Sequence, residues 1–144
     1  MTKLAINGGE QTKTKAFPKW PYSNEREIEL VGEVFFSGNW WRMTGDKVKT
    51  FERNFAVLHN VKYCLGVTNG THAIEIALTT LGIKHGDEVI VPAVTFISTG
   101  SAVIYVNATP DLVYIDPETF CMIPEAFEKA ITPKTKAVIP VHMP

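Results

Sequence analysis

The sequence has little of the material from which disulfide-stabilised or membrane-spanning proteins are built. Only two of its 144 residues are cysteines, too few for a disulfide framework, and the apolar neighbours of Cys64 and Cys121 predict reduced, buried thiols. No apolar run is long enough to cross a bilayer, and residues 1–9 lack the apolar core of a signal peptide. We therefore expect a cytoplasmic protein without a membrane partner.

An excess of charge of either sign is also missing. The sequence has 14 Lys and Arg residues against 15 Asp and Glu residues, a formal net charge of -1, and it contains no basic run. Because nucleic-acid binding depends largely on clustered cationic side chains, we expect no nucleic-acid partner. Since 45% of the residues are hydrophobic, a chain of this length can bury the core of one domain.

Several short motifs of common enzyme classes are absent. The sequence has no G-x-x-x-x-G-K-[ST] loop, no G-x-G-x-x-G after a strand and no G-x-S-x-G elbow, which argues against Walker-type NTPases, dinucleotide-binding enzymes and α/β-hydrolases. Its four histidines show no metal-binding spacing such as H-E-x-x-H, so we predict no metal site.

What the sequence does contain is an alternation of amphipathic and apolar segments. A helix is predicted from a capping box of Asn24 and Glu27 to Gly38. A second helix is predicted with Asp46 as its cap and with Lys47, Lys49, Glu52 and Arg53 on its solvated face. Further helices are predicted over Thr71–Leu81, from the loop 93–100 through Val106, and from Pro124. The predicted strands are Tyr63–Val67, Glu88–Pro92, Leu112–Ile115 and Lys136–Val141.

This order of elements predicts an α/β protein with a mainly parallel sheet and helices on both faces. In such sheets ligands bind beyond the carboxyl ends of the strands, which here means the loops 68–71, 92–98 and 116–119 and the segment 142–144. Another loop, 39–45, contains adjacent tryptophans. Because exposing two indoles to water is unfavourable, we expect at least one of them in the core, with a pocket wall as the alternative.

The most informative stretch is 67–73, where an apolar run passes into a helix. Gly70 permits a tight turn, and Thr71 lies where the first helical amides have no internal partner. Those amides and the helix dipole form a site for an anion such as phosphate, to which Thr71 adds a hydroxyl. A helix cap without a ligand is the alternative. A hairpin through Asn69 and Gly70 is disfavoured by the helical spacing of the apolar residues that follow.

These segments, in this order, resemble the DegT/DnrJ/StrS family of sugar aminotransferases, a branch of the fold-type I pyridoxal phosphate (PLP) enzymes. The resemblance runs from residues 4–9 through 67–73, 89–92 and 95–96 to 139–142, and the segment 40–46 is most similar to the 3-amino-5-hydroxybenzoate synthase branch. It implies that the chain is the N-terminal part of a fold-type I large domain. Residues 1–22 would form an N-terminal arm and residues 23–144 the incomplete PLP-binding domain.

The resemblance also implies roles for individual residues. Those that would bind PLP are Gly70, Thr71 and His72, at the phosphate, and Phe96, stacked on the pyridine ring. Those that would lie near the substrate are Trp41, Arg42 and His142. From the residues alone, core packing of Phe96 and a neutral His142 bonded to the backbone are the alternatives.

The family's Schiff-base lysine, and the aspartate that keeps the pyridine nitrogen protonated, lie beyond the position of Pro144, so we predict no catalytic residue here and an inactive isolated chain. The full-length protein is expected to be a homodimer that transfers an amino group from glutamate or glutamine to a keto group on a sugar nucleotide, cyclitol or related ring. The alternatives are a non-catalytic phosphate-ligand-binding or interaction module without that lysine, and a different α/β enzyme that binds a phosphorylated ligand.

Overall fold

A computed structural model describes residues 3–143. The chain divides into two compact units, one ending at Cys64 and the other beginning at Leu65. The boundary proposed above between an arm at residues 1–22 and a domain at 23–144 stays a prediction.

The first unit contains a short 3-10 helix, Ala5–Asn7, and two α-helices, α1 (Glu25–Ser37) and α2 (Lys47–Leu58). The predicted capping box at the start of α1 is confirmed. The Asn24 side chain accepts a hydrogen bond from the Arg26 amide at 2.9 Å, and the Glu27 carboxylate accepts one from the Asn24 amide at 2.6 Å. Gly38 ends the helix at φ 69°, a left-handed conformation that glycine adopts at little cost.

Helix α2 begins after Asp46, but the Asp46 side chain makes no capping hydrogen bond, so the predicted side-chain cap is wrong. The burial of α2 also differs from the prediction. Glu52 and Ala56, one turn apart, are the buried residues of this helix, whereas the apolar Phe51 and Phe55 are exposed. The prediction that Glu52 lies on a solvated face is therefore wrong. A carboxylate tolerates burial when a cation pairs with it, and Arg42 does so here.

The second unit is built on a three-stranded sheet in the order β2-β1-β3. Its elements are α3 (Gly70–Thr80), β1 (Glu88–Pro92), α4 (Ser98–Tyr105), β2 (Thr109–Val113), α5 (Pro124–Ala130) and β3 (Thr135–Val138). β1 pairs in parallel with both neighbours. The predicted α/β class and parallel sheet are thereby confirmed, as are the bounds of β1 and the start of α5 at Pro124.

The core of this unit surrounds the central strand. Val89 and Val91 pack in one cluster with Leu78 of α3 and Val103 of α4. Ile90, which points to the opposite face of the sheet because side chains alternate along a strand, has no exposed surface either. β1 is thus buried on both faces, as its uninterrupted apolar sequence predicts.

The predicted strand Tyr63–Val67 is wrong. These residues do not belong to the sheet of the described part of the chain, which consists of β2, β1 and β3, and Tyr63 and Leu65 are exposed. An apolar run becomes a strand only where a neighbouring strand supplies a hydrogen-bond ladder, which the run itself does not specify.

The other two predicted strands are present, but they begin and end at different residues from those predicted. Leu112–Ile115 is replaced by β2, which starts and ends earlier, and Lys136–Val141 by the shorter β3. Pairing sets these bounds, because Glu88 at the start of β1 lies opposite both Thr109 and Thr135. Pro110 lacks an amide hydrogen but is tolerated within β2, which is an edge strand of this sheet.

The two cysteines are free thiols, but their predicted burial is wrong. Cys64 is half-buried, and Cys121 is exposed in the turn that follows β2. Phe120, beside it, has a positive φ of 57°, and its amide donates to the Asp116 carbonyl at 2.8 Å. This tight turn keeps Cys121 at the surface although its neighbours in the sequence are apolar.

Candidate functional site

The turn at residues 68–72 starts a helix, so the hairpin alternative is wrong. Asn69 has extended backbone angles and caps α3, its side-chain oxygen accepting a hydrogen bond from the His72 amide at 3.0 Å. Gly70 is the first helical residue, and its backbone is not among those with positive φ. The prediction that the turn needs glycine for its backbone angles is therefore wrong. A Cβ built on Gly70 meets no atom within 4 Å, so the glycine leaves open space at the start of the helix.

Asn69 caps only one of the first three helical amides. The amides of Gly70 and Thr71 and the hydroxyl of Thr71 form no hydrogen bond with any other residue in 3–143. The first amides of a helix lack internal partners by geometry, and they carry the positive end of its dipole. This turn therefore offers two amides and one hydroxyl to an anion.

The His72 imidazole is held inside the same turn. Its Nδ1 lies 2.5 Å from the Thr68 hydroxyl oxygen, which also accepts a hydrogen bond from the Asn69 side-chain amide at 3.2 Å. These bonds connect the two ends of the turn through side chains. His72 thus shapes the turn at the start of α3.

The start of α3 lies toward the carboxyl ends of the strands. The 11 residues of α3 extend about 16 Å, and the five residues of β1 extend about the same distance. Leu78 packs against Val89 and Val91, and residues 81–87 return the chain from the end of α3 to the start of β1. The first turn of α3 is therefore at the edge of the sheet where α/β proteins bind ligands.

Phe96 follows β1 at the same edge. Phe96 is 76% exposed, so the alternative that it packs in the core is wrong. The backbone around it is well anchored: the Ala93 amide donates to the Val113 carbonyl at 2.9 Å, and the Thr99 amide donates to the Phe96 carbonyl at 3.0 Å. An exposed ring on a fixed backbone is suited to stacking on a flat ligand.

Two further segments follow the other strands. After β2, one Asp116 carboxylate oxygen accepts hydrogen bonds from the amides of Thr119 at 2.8 Å and Glu118 at 2.9 Å. These bonds, and the bond from Thr119 most of all, lower the pKa of Asp116 below its usual value.

After β3, His142 is exposed and forms no hydrogen bond to the backbone of residues 3–143. The alternative of a His142 bonded to the backbone is therefore wrong.

The first unit contains the other two predicted site residues, Trp41 and Arg42. Trp40 and Trp41 are 70% and 67% exposed, so the prediction that one of them packs in the core is wrong. Trp40 is instead held at the surface, where it stacks on Phe35 with ring centroids 5.8 Å apart and donates its indole N–H to the Phe35 carbonyl at 3.1 Å. Both tryptophans line a cavity of about 640 Å³ together with Arg42, so they form a pocket wall.

Arg42 does not have a free guanidinium. Its Nη2 lies 2.9 Å and 2.8 Å from the two carboxylate oxygens of Glu52, and its Nε lies 3.3 Å from the first of them. Sequence reasoning missed Glu52. No local signal marked it, because Val48, one turn earlier, is exposed and Arg42 pairs with Glu52 across ten residues of sequence.

The family assignment rests on the comparisons with known proteins. The DegT/DnrJ/EryC1/StrS aminotransferase family matches residues 21–144. The chain belongs to this family. Its aminotransferases depend on PLP, and the resemblance stated from the sequence is confirmed.

Two curated relatives illustrate the similarity. The chain is 46% identical over 131 residues to 3-amino-5-hydroxybenzoate synthase from Amycolatopsis mediterranei, covering 91% of this chain and 34% of the relative. It is 40% identical over 148 residues to L-glutamine:2-deoxy-scyllo-inosose aminotransferase from Streptomyces fradiae, covering 99% of this chain and 35% of the relative. The chain thus spans about a third of the length of these family members.

Solved structures of aminotransferases have the same fold as this chain over most of its length. The crystal structure of 3-amino-5-hydroxybenzoic acid synthase has a TM-score of 0.84 and 46% identity, over 91% of this chain and 34% of that one. A putative sugar aminotransferase from Streptococcus pneumoniae, in its PLP form, has a TM-score of 0.75 and 38% identity, over 82% of this chain and 30% of that one. The prediction that this chain has the fold of the N-terminal part of a fold-type I enzyme is therefore confirmed.

Residues 3–143 show neither a membrane-spanning helix nor a metal-binding cluster. No helix there is both long and apolar enough to cross a membrane. In the same residues, no group of three or more His, Cys, Asp or Glu side chains is arranged to hold a metal ion.

Proposed function

We propose that this chain is the N-terminal part of a PLP-dependent aminotransferase. The full-length protein would transfer an amino group from glutamate or glutamine to a keto group on a cyclitol, sugar nucleotide or related ring. The observation that carries the proposal is the first turn of α3, with two amides and a hydroxyl available to an anion, in a chain of an aminotransferase family. The names of the relatives, which include a scyllo-inosose aminotransferase, support a cyclic keto acceptor.

The geometry of the second unit supports the proposed cofactor roles. The Gly70 and Thr71 amides and the Thr71 hydroxyl would hold the phosphate beside His72. The His72 amide donates to the Asn69 side chain, so these two residues would keep the turn in shape. The exposed ring of Phe96 would stack on the pyridine ring. When bound, PLP supplies the electron sink for amino-group transfer.

The substrate roles concern the first unit and the segment after β3. Trp41 would contact the acceptor through its exposed indole, and His142 would lie near the substrate. Arg42 would act through its position beside Trp41, because two of its guanidinium nitrogens already bind Glu52.

We also propose a cytoplasmic homodimer. Phe17 and Trp20, in the predicted N-terminal arm, are exposed. Large aromatic side chains at a surface favour contact with another protein surface, and a partner subunit would supply it.

The test measures PLP binding to the full-length protein that contains this chain. We expect a visible absorbance band from bound PLP that disappears on borohydride treatment, together with transamination of a cyclic ketone. Thr71→Ala should weaken PLP binding about tenfold or more, because one hydrogen bond to a charged group is lost. Thr79→Ala, an exposed threonine of the same helix, is the matched control and should leave PLP binding unchanged.

Three results would contradict the proposal in different ways. A full-length protein without a PLP band is not this enzyme. A protein that binds a phosphorylated ligand through Thr71 but transfers no amino group is the non-catalytic binding module. Equal PLP affinity in Thr71→Ala and the parent would show that the phosphate lies elsewhere.

A further inference from the structure

Among residues 3–143, Glu52 is the buried charged residue, and it pairs with Arg42 in the loop that contains the tryptophans. Its side chain is 11% exposed, whereas that of Arg42 is 42% exposed. The two-pronged contact between them matches the planar fork of a guanidinium to both oxygens of a carboxylate. The pair therefore fixes Arg42 to α2 in one orientation.

The loop is also closed on itself next to Arg42. The Trp41 carbonyl accepts hydrogen bonds from the amides of Thr44 at 3.1 Å and Gly45 at 2.8 Å, and from the Thr44 hydroxyl at 3.2 Å. A Cβ on Gly45 would lie 2.9 Å from the Asn39 carbonyl oxygen, so only glycine permits this close approach. The backbone of Trp41 is thus held by the loop on one side and by the Arg42–Glu52 pair on the other.

A tightly held backbone contrasts with the exposure of the Trp41 indole. Trp41 lines a cavity of about 640 Å³ whose lining also includes the polar Asn39 and Thr44 and the charged Glu33 and Lys47. An aromatic wall with a few polar groups suits a ring that carries hydroxyl and keto groups. The loop is organised to present Trp41 and is not packed into a core.

We propose that Arg42 and Glu52 are positioning residues for the acceptor: the Glu52 carboxylate holds Arg42, and through it the loop 39–45, so that Trp41 forms one wall of the acceptor site. The inference rests on the proposed aminotransferase function and adds Glu52 to the residues that serve it. Arg42 acts on the acceptor through Trp41 and makes no ion pair with the substrate.

The test compares Glu52→Gln with the parent in the full-length enzyme. Gln keeps the shape of Glu but loses the charge that binds Arg42. We expect the KM for the keto acceptor to rise about tenfold or more, since small displacements of positioning groups have large effects. The KM for the amino donor and the affinity for PLP should stay within about twofold. Glu29→Gln, which breaks the exposed Arg26–Glu29 pair on α1, is the matched control and should change none of them.

A spectroscopic readout follows the loop without turnover. The full-length protein is labelled with 5-fluorotryptophan, and the Trp41 resonance is assigned by its loss in Trp41→Phe. We expect Glu52→Gln and Arg42→Lys to shift or broaden this resonance and Glu29→Gln to leave it unchanged. Glu52→Asp, which keeps the charge, should restore part of the parent acceptor KM. Trp41→Phe and Glu52→Gln should be non-additive, because both act through the same indole.

Each outcome separates this proposal from the proposed function. An unchanged acceptor KM in Glu52→Gln overturns the positioning role, as does an unchanged Trp41 resonance. If Glu52→Gln does not fold, Arg42→Lys gives the same comparison, because lysine keeps the charge but lacks the planar fork. A parent enzyme without PLP or transamination contradicts the proposed function instead, and the resonance still decides whether the pair holds the loop.

Discussion

At the residue scale, the Asp116 carboxylate shows how one side chain shapes a loop at the edge of the sheet where α/β proteins bind ligands. Backbone amides of Thr119 and Glu118 donate to it, and these bonds favour the charged form and lower its pKa. A group whose pKa is lower in the folded than in the unfolded protein stabilises the fold at pH values above its unfolded pKa. That contribution is lost as the pH falls through the folded pKa.

This linkage gives a prediction for Asp116→Asn. The variant should be less stable than the parent at neutral pH, and the difference should vanish as the pH falls through the lowered pKa of Asp116, because the parent carboxylate is then protonated. Urea denaturation of the full-length protein at a series of pH values measures it. Glu118→Gln, in the same turn, is the control, since its side chain accepts no hydrogen bond from residues 3–143. A deficit that does not change with pH would contradict the prediction.

At the scale of elements, the stability of α1 depends more on its capped ends than on packing against other parts of residues 3–143. Its apolar residues Ile28, Val31 and Phe35 are exposed, whereas its start is fixed by the capping box and its end by Gly38. Helices gain most of their stability from burying an apolar face, so a helix with little burial relies on its caps.

We therefore predict that Asn24→Ala frays the first turn of α1. The loss of the cap should cost about 1 kcal/mol, and amide hydrogen exchange of residues 25–28 should become about fivefold faster, as such a free-energy change implies. Ser23→Ala changes the neighbouring exposed residue and should leave exchange unaltered. Equal protection in Asn24→Ala and the parent would show that packing, rather than the cap, holds this turn.

At the scale of the whole molecule, the chain corresponds to about a third of its relatives. Leu112 and Tyr114 on and after the edge strand β2 are exposed, as is Leu65 in the apolar run before α3. Exposed apolar residues and open strand edges favour association with further protein surface. In a longer family member, additional strands and helices would cover them.

The 144-residue chain by itself should therefore be poorly soluble, retain little PLP and catalyse no transamination. Light scattering, PLP absorbance after gel filtration, and an amino-transfer assay measure these properties, with the full-length protein as the comparison. A monodisperse 144-residue monomer with turnover would contradict the prediction and would require a catalytic lysine within this chain.

The sequence by itself determined the features that depend on neighbouring residues. The capping box at Asn24, the end of α1 at Gly38, the start of α5 at Pro124 and the buried strand β1 were all predicted, because a few adjacent side chains and backbone angles decide them. The order of the motifs likewise sufficed for the family. The turn before α3 was predicted as a helix start for the same local reason.

Only the tertiary structure decided the ends of the outer strands, the burial of Glu52 and the exposure of the loop aromatics. The ends of β2 and β3 follow from their register with β1, and Glu52 is buried because Arg42, ten residues earlier, reaches it. The exposure of Trp41 and Phe96 depends on loops whose shape is set by close contacts such as that of Gly45. These properties arise between residues that are apart in the sequence, so no local pattern encodes them.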